Sequence, residues 1–432
     1  MTFKMNSLSL LCVAAFAAPA LATSIVPAAA QQGAVLLNDA TLHTVSNGVL
    51  ENTDLLIVDG KIAAIGKDLA APAGGTVVEL QGKHVYPGLI ALANQLGLVE
   101  IEAVRATDDT REVTDTNPDV RAQVAYDAQS DVIPTVRSNG ISYSLVFPAG
   151  SLLMGQSSLM QLDAWSWQDA TVKAGVALHI NWPNASVLSS PWNPKKPEEL
   201  AKQNAEDLQK LYDTMAQAKA YVDAKNAGAI KALDSRWEAM IPVFSGERAV
   251  FAHAEDARQI RQAIALADKY QLKLTIVGGR DSWRVADELA ARKVPVIFGS
   301  PFGIPERDDE AVDTAYTTPA KLAKAGVTFA LAIGSYWDSR NLAFGAGQAV
   351  AFGLDKEQAL AAVTLNAAKI AGVDDKLGSL EVGKAGTVVV SEGDILDYRS
   401  SKISQMWIDG RAVDLNNKQK DLHQKYQQRY SR

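Results

Sequence analysis

The chain has 432 residues, 47% of them hydrophobic and 21% charged, with a formal net charge of −7. That apolar content is enough for one large domain and a smaller one. A mildly acidic chain without a basic patch has no electrostatic reason to hold nucleic acid or an anionic membrane.

Residues 1–30 read as an export signal. Lys4 supplies the positive flank, residues 8–18 the apolar core, and small-residue sites follow at Ala20-Leu21-Ala22 and Ala28-Ala29-Ala30. Cleavage after Ala30 is preferred, because the strand pattern starts just beyond it at Ala34. The alternative is an uncleaved anchor, for which the run is short and rich in alanine. The lone cysteine, Cys12, lies inside this segment, and Leu11 precedes it where a lipid-attachment site wants a small residue. A mature chain would then carry neither disulfides nor thiolate metal ligands. The expected location is periplasmic or secreted, with no membrane span after cleavage.

From Ala34 the chain alternates short strands and turns: AVLLNDATLHTV, DLLIVDGKIAAIG and TVVELQGKHVYPG. Asp59-Gly60 between two apolar runs signals a hairpin. The far end repeats the style, with a strand at 387–390 and a hairpin at 404–413 turning on Asp409-Gly410. Between these β-rich ends, apolar runs at 141–147, 176–181, 248–253, 273–277, 294–298 and 327–333 read as strands. Helical patterns at 257–270 and 282–292 separate the later ones. Repeated βα units imply parallel strands with helices outside. No Gly-rich phosphate loop follows a strand and the count approaches eight, so an α/β (β/α)8 TIM-like barrel is preferred over an open doubly wound sheet.

One insertion stands out from Pro197 to about Gly228. It is long, polar and helical, with Leu208, Leu211, Met215 and Val222 on one face. Pro197, Glu198 and Glu199 make a good helix start. Such a helix packs on the barrel, or serves as a lid or dimer contact.

Several separated segments resemble the amidohydrolase superfamily, especially its exported members related to imidazolonepropionase. DLLIVDGKIAAIG resembles the family's N-terminal hairpin, and GKHVYPGLI its approach to barrel strand one. LDKEQALAAVTLNAAKIAGV resembles the helix after strand eight, with Thr364, Asn366 and Ala368 in the usual places. LGSLEVGKAGTVVV resembles the return into a β-sandwich. The match runs in order along nearly the whole mature chain. It implies a barrel over residues 85–372, with a helical insertion at about 197–240. It also implies a small composite β-sandwich domain from 31–84 and 373–432. Asp355 with Gln358 reads as a capping box, and Gly378 and Gly383 as turn glycines.

The resemblance implies hydrolysis of C–N bonds other than peptide bonds, with one or two divalent metals activating a water. The family's ligands are two histidines on strand one, a carboxylated lysine or acid on strand four, single histidines on strands five and six, and an aspartate on strand eight. Here Ala93 and Gln95 stand in the strand-one pair, with Ala91 two residues before. VFAHAED puts His253 at the strand-five ligand position. LTIVGGRD offers Gly278 and Gly279 on strand six, FALAIGSYWDSRNL puts Ser335 near the aspartate of strand eight, and Thr387 stands where the sandwich return often has an aspartate. Asp338, three residues beyond Ser335, reaches inward only if the loop bends.

Of five histidines, His43 and His84 fall in the sandwich strands and His423 in the polar tail, leaving His179 and His253 for the barrel mouth. His253, His179 and one of Asp338, Glu255 or Glu100 form one conceivable zinc trio. Asn94, Gln95 and carboxylates form a conceivable hard-cation site. Neither spacing is a recognised motif. Glu255 and Asp256 suit a helix N-terminus, with a general-base role for Glu255 as the alternative. Glu100, Glu102 and Arg105 either line the mouth or belong to a solvated loop. The pocket-lining set is Asn94, Gln95, His179, Asn181, Gly279, Arg280 and Ser335, with Asp338 and Glu255 as catalytic candidates and His253 as the metal candidate.

Three functions compete. The first is a pseudoenzyme: an amidohydrolase-like protein with a degenerate metal site that binds a small-molecule ligand, or pairs with an active relative. The second is an active metal-dependent hydrolase with an unorthodox single-metal site, zinc by family resemblance. The third is an assembly role, such as a homodimer, carried by the long insertion.

Overall fold

The structure is a computed structural model that describes residues 26–188, 194–299 and 301–431. The apolar core of the expected export signal therefore lies outside the described residues. The strands, in chain order, are β1 (Val35–His43), β2 (Val49–Val58), β3 (Lys61–Gly66), β4 (Thr76–Glu79), β5 (His84–Pro87), β6 (Leu89–Asn94), β7 (Ile141–Val146), β8 (Leu153–Gln156) and β9 (Ser158–Gln161). There follow β10 (Thr171–Lys173), β11 (Ala177–Asn181), β12 (Ala249–Ala254), β13 (Leu274–Gly278), β14 (Val296–Phe298), β15 (Phe329–Leu331), β16 (Val388–Ser391), β17 (Ile403–Ile408) and β18 (Arg411–Ala412).

Both ends of the chain meet in one 8-stranded sheet, in the order β18-β17-β16-β5-β1-β2-β3, with β4 beside β1. The two Asp-Gly signals are its hairpin turns. Asp59 and Asp409 both have φ near 48°, followed by Gly60 and Gly410 at 76° and 72°. That left-handed pair is what a two-residue turn between twisted strands requires. The expected sandwich of two sheets is here a single hydrogen-bonded ladder.

The middle of the chain is mixed α/β. Strands β11 to β15 run parallel in sequence order, and β6 and β7 are parallel to each other. Among the described residues this middle part forms two open sheets, of four and six strands, rather than the closed eight-stranded ladder expected from the sequence. Two departures account for this. Residues 153–161 run antiparallel to both neighbours, β8 against β11 and β9 against β7. The chain crosses between the sheets at Ser157, which bonds to Ala177 and Val176. On the other side no ladder joins β15 to β6. Ile90 N–H instead donates to Val363 O at 3.0 Å, and Asn366 Nδ2 to Phe329 O at 3.0 Å.

One apolar cluster lies inside the two sheets and draws on alternate positions of their strands. It takes Ile90 and Leu92 from β6, Tyr143 and Leu145 from β7, Ala177 from β11, Phe251 from β12, Val277 from β13, Ile297 from β14 and Ala330 from β15. Period-two alternation puts the intervening residues outward against the helices. Ile180, Ala252, Ile276 and Phe298 accordingly join the outer core.

The helix Ala257–Tyr270 has the boundaries its pattern predicts, and Asp256 and Gln259 close a reciprocal capping box at its start. The insertion forms one 30-residue helix, Pro197–Asn226, that buries Leu200, Leu211, Met215, Ala218 and Val222. It is thus an amphipathic helix packed on the α/β body. Lys210 Nζ also bonds Asp115 Oδ2 at 2.7 Å, and Asn204 Nδ2 bonds Ser186 O at 2.8 Å.

A buried charge cluster ties distant parts together. Asp163 accepts from Arg137 at 2.6 Å and Arg411 at 2.8 Å, and from the backbone N–H of Ala28 at 2.9 Å. Arg137 and Asp163 are each about 2% exposed. Pro27 is buried beside this anchor. Cleavage after Ala30 would remove it, whereas cleavage at Ala20-Leu21-Ala22 would keep it.

Candidate functional site

Alternation on β11 and β12 sends His179 and His253 inward, one step toward the strand ends from Ala177 and Phe251. They meet: His179 Nδ1 lies 2.8 Å from His253 Nε2. Phe147, just past the end of β7, stacks on His179 with ring centroids 4.7 Å apart and sits 4.8 Å from His253. Burial lowers both imidazole pKa values, that of His253 to about 4 and that of His179 well below the ordinary range, where the neighbouring His253 lowers it further. Both rings are therefore neutral at pH 7, and one donates the shared proton to the other. His179 is fully buried, and its Nε2 has no partner among the described residues.

Strand six meets this pair without a side chain. Gly278 has φ of 90°, and a Cβ there would lie 2.1 Å from Glu255 Oε1. The Glu255 carboxylate fills that space, and its Oε2 accepts from the backbone N–H of Arg280 at 2.9 Å. Surrounding protein mass raises the Glu255 pKa, opposed by the Arg280 N–H and guanidinium. The residue is nevertheless reached by solvent. Arg280 in turn pairs with Glu306. Gly279, also left-handed at 64°, donates its N–H to Ala254 O.

The other sequence-selected residues are placed elsewhere. Ala93 has φ of 53° in a bulge of β6, which puts it in the inner cluster. Asn94 is 2% exposed, and its Oδ1 accepts from Leu96 N–H at 3.0 Å and Ser144 Oγ at 2.8 Å. Its Nδ2 has no partner among the described residues. Gln95 is half-buried in the following turn, its carbonyl accepting from Leu98 N–H. Asn181 lies on an outer rim, donating to Gly150 O at 3.2 Å. It helps line a cavity of about 490 Å³ beside Asp115 and Lys210.

Ser335 is half-buried and its carbonyl accepts from Ser339 N–H. Asp338 begins a short 3-10 helix with its side chain 51% exposed, paired to Arg340 at 3.3 Å. The loop does not turn it inward. Glu100 accepts from Ser130 Oγ and from Asp131 N–H at 3.1 Å, just before the helix Val132–Arg137. It serves that loop rather than the histidine pair. His43 and His84 form a second imidazole pair, 2.9 Å apart, in the terminal sheet.

A catalytic zinc site takes three protein ligands. Among the described residues no group of three His, Cys, Asp or Glu side chains lies close enough to hold a metal ion. Outside the described residues the sequence contains no His, Asp or Glu, and its one cysteine is Cys12. Among the described residues the family's set of three or more ligands is therefore not assembled. Phe147 is the site residue that the sequence did not single out. Its signal was the alternation Tyr143, Leu145, Phe147 on the inward face of β7.

Residues 320–414 match the sequence model of the Amidohydrolase family. An amidohydrolase from Thermotoga maritima MSB8 superposes with a TM-score of 0.78 at 24% identity, covering 88% of this chain and 99% of its own. The fold is that of the amidohydrolases. A zinc-bound adenosine deaminase from Xanthomonas campestris superposes with a TM-score of 0.51 at 14% identity, over 93% of this chain and 99% of that one. The amidohydrolase tasK of Hapsidospora irregularis is 19% identical over 413 residues, covering 83% of this chain. The chain spans 39% of the length of that relative.

Proposed function

We propose that the chain is an amidohydrolase-superfamily member, related to the imidazolonepropionase-like exported proteins, that binds a small molecule at its strand ends without the family's divalent metals. In this reading the two open sheets are a (β/α)8-type barrel flanked by a β domain from both chain ends. The observation that carries it is the hydrogen bond between His179 Nδ1 and His253 Nε2. Each imidazole commits one ring nitrogen to the other, and among the described residues no third His, Cys, Asp or Glu completes a set that could hold an ion. Two neutral imidazoles, His179 stacked on Phe147 and His253 tilted against it, with the Glu255 carboxylate nearby, suit a small polar molecule better than a hydroxide-bearing metal. A panel of dipeptides and cyclic amides, assayed with and without added zinc, tests this. No turnover in either condition is expected, and zinc-dependent turnover would overturn the reading.

A second reading has one observation of its own. The Glu255 carboxyl is raised in pKa and open to solvent close to His253, as a general base would be. Hydrolysis that survives a chelator and disappears in Glu255→Gln would select it. We further place the protein outside the cytoplasm on the strength of residues 1–30. Recovery in the cytoplasmic fraction of fractionated cells would contradict that.

A further inference from the structure

A second cavity, of about 630 Å³, opens where the two Asp-Gly hairpin turns of the terminal sheet meet the α/β body. The turns are locked back to back. Gly386 N–H donates to Gly60 O at 2.7 Å, and Gly410 N–H to Gly386 O at 3.0 Å. Gln31 closes one wall, its Oε1 accepting from Gly60 N–H at 2.7 Å. The opposite wall is apolar, made by Val172, Val373, Leu377 and Ala385.

Two ammonium groups border this wall. Lys61 pairs with Ala385 through a backbone bridge, and Ala385 N–H donates to Lys376 O at 2.9 Å. Both lysines therefore flank one backbone segment of the cavity. Neither takes part in an ion pair among the described residues, in a chain whose net charge is −7. The third cation, Arg411, is held by Asp163 and Gln161, and Asp59 and Asp409 of the two turns also line the cavity. At the back, Tyr143 Oη lies 2.7 Å from Thr387 Oγ1, and Asp409 N–H donates to the same oxygen. Tyr143 stands four residues before Phe147, about 13 Å along the strand direction. The cavity is thus separate from the histidine pair.

We propose that this cavity is a second ligand site that takes a small amphiphilic carboxylate, with its head at Lys61 and Lys376 and its apolar body along Val172, Val373 and Leu377. A volume of this size is typical of small-molecule sites, and a mostly apolar wall with a few charged groups gives orientation. Charge-assisted contacts to the two exposed lysines supply the preference for an anion.

Octanoate displacing the fluorescent aromatic sulfonate 1-anilinonaphthalene-8-sulfonate from the full chain tests this. Saturable displacement at one site is expected. Lys61→Ala with Lys376→Ala should weaken octanoate by about tenfold or more. The same loss of charge at Lys202 and Lys219, on the exposed face of the helix Pro197–Asn226, should leave it unchanged. Hydrogen exchange with octanoate present should slow in the segments around Lys61 and Lys376. Equal displacement by octylamine, full affinity in the double variant, or protection confined to β11 and β12 would each overturn the proposal.

Discussion

At the scale of single residues, the site is governed by what stands next to each histidine. Gly278 and Glu255 act as one unit, since the carboxylate occupies the volume a side chain would need. Gly278→Ala should push Glu255 out and force a left-handed alanine. A loss of about 1–3 kcal/mol is expected from urea unfolding, and an unchanged midpoint would show that the space is free. The histidines also make stability depend on pH. Burial holds His253 near about 4, below its ordinary 6.5. The unfolded chain binds a proton near 6.5 while the folded chain does not. Stability is therefore complete above pH 6.5, falls as pH drops from there toward about 4, and levels off below it. His253 alone accounts for about 3 kcal/mol of that loss. His43, also held near about 4 by burial and by His84, adds in the same direction. Urea midpoints between pH 8 and pH 4 measure the sum, and a flat profile would contradict it. His253 was legible from VFAHAED. Its placement with His179 at the mouth followed from elimination among five histidines, but their direct hydrogen bond was not legible, because contact between residues 74 apart is set by strand register.

At the scale of elements, periodicity carried most of the information. The helix Ala257–Tyr270 and both Asp-Gly hairpins follow from local chemistry alone. The insertion helix buries Leu211, Met215 and Val222, the face its spacing predicts. Met215→Ala should cost about 2–5 kcal/mol, against less than about 0.5 kcal/mol for exposed Glu206→Ala. Thermal melts of the two variants compare them directly, and equal melting temperatures would show that the helix is not packed. The run SLLMGQSSLMQL was not legible as a strand pair. Its apolar residues do not alternate regularly, and Gly155 at φ of 128° and Ser157 let it serve two sheets in turn. That bend is the reason a regular eight-strand ladder was expected and two open sheets are observed.

At the scale of the whole molecule, the ends of the chain are bound to its middle through Asp163. One carboxylate serves Arg137, Arg411 and the Ala28 N–H, so Asp163→Ala leaves two cations without their partner. A loss of about 3–5 kcal/mol is expected in urea unfolding, and a loss under about 1 kcal/mol would show the cluster to be peripheral. For the export proposed above, the same anchor favours processing at Ala20-Leu21-Ala22 over processing after Ala30. Intact mass of exported protein should correspond to a start at Thr23, and a start at Gln31 would contradict it. Two of these links join residues more than a hundred positions apart, and no local pattern announces them. That no third ligand joins His179 and His253 among the described residues is likewise a property of the assembled site. Its most direct test is elemental analysis of protein equilibrated with excess zinc and then passed into metal-free buffer. Far less than one equivalent should be retained. One full equivalent that disappears in His253→Ala would contradict the account.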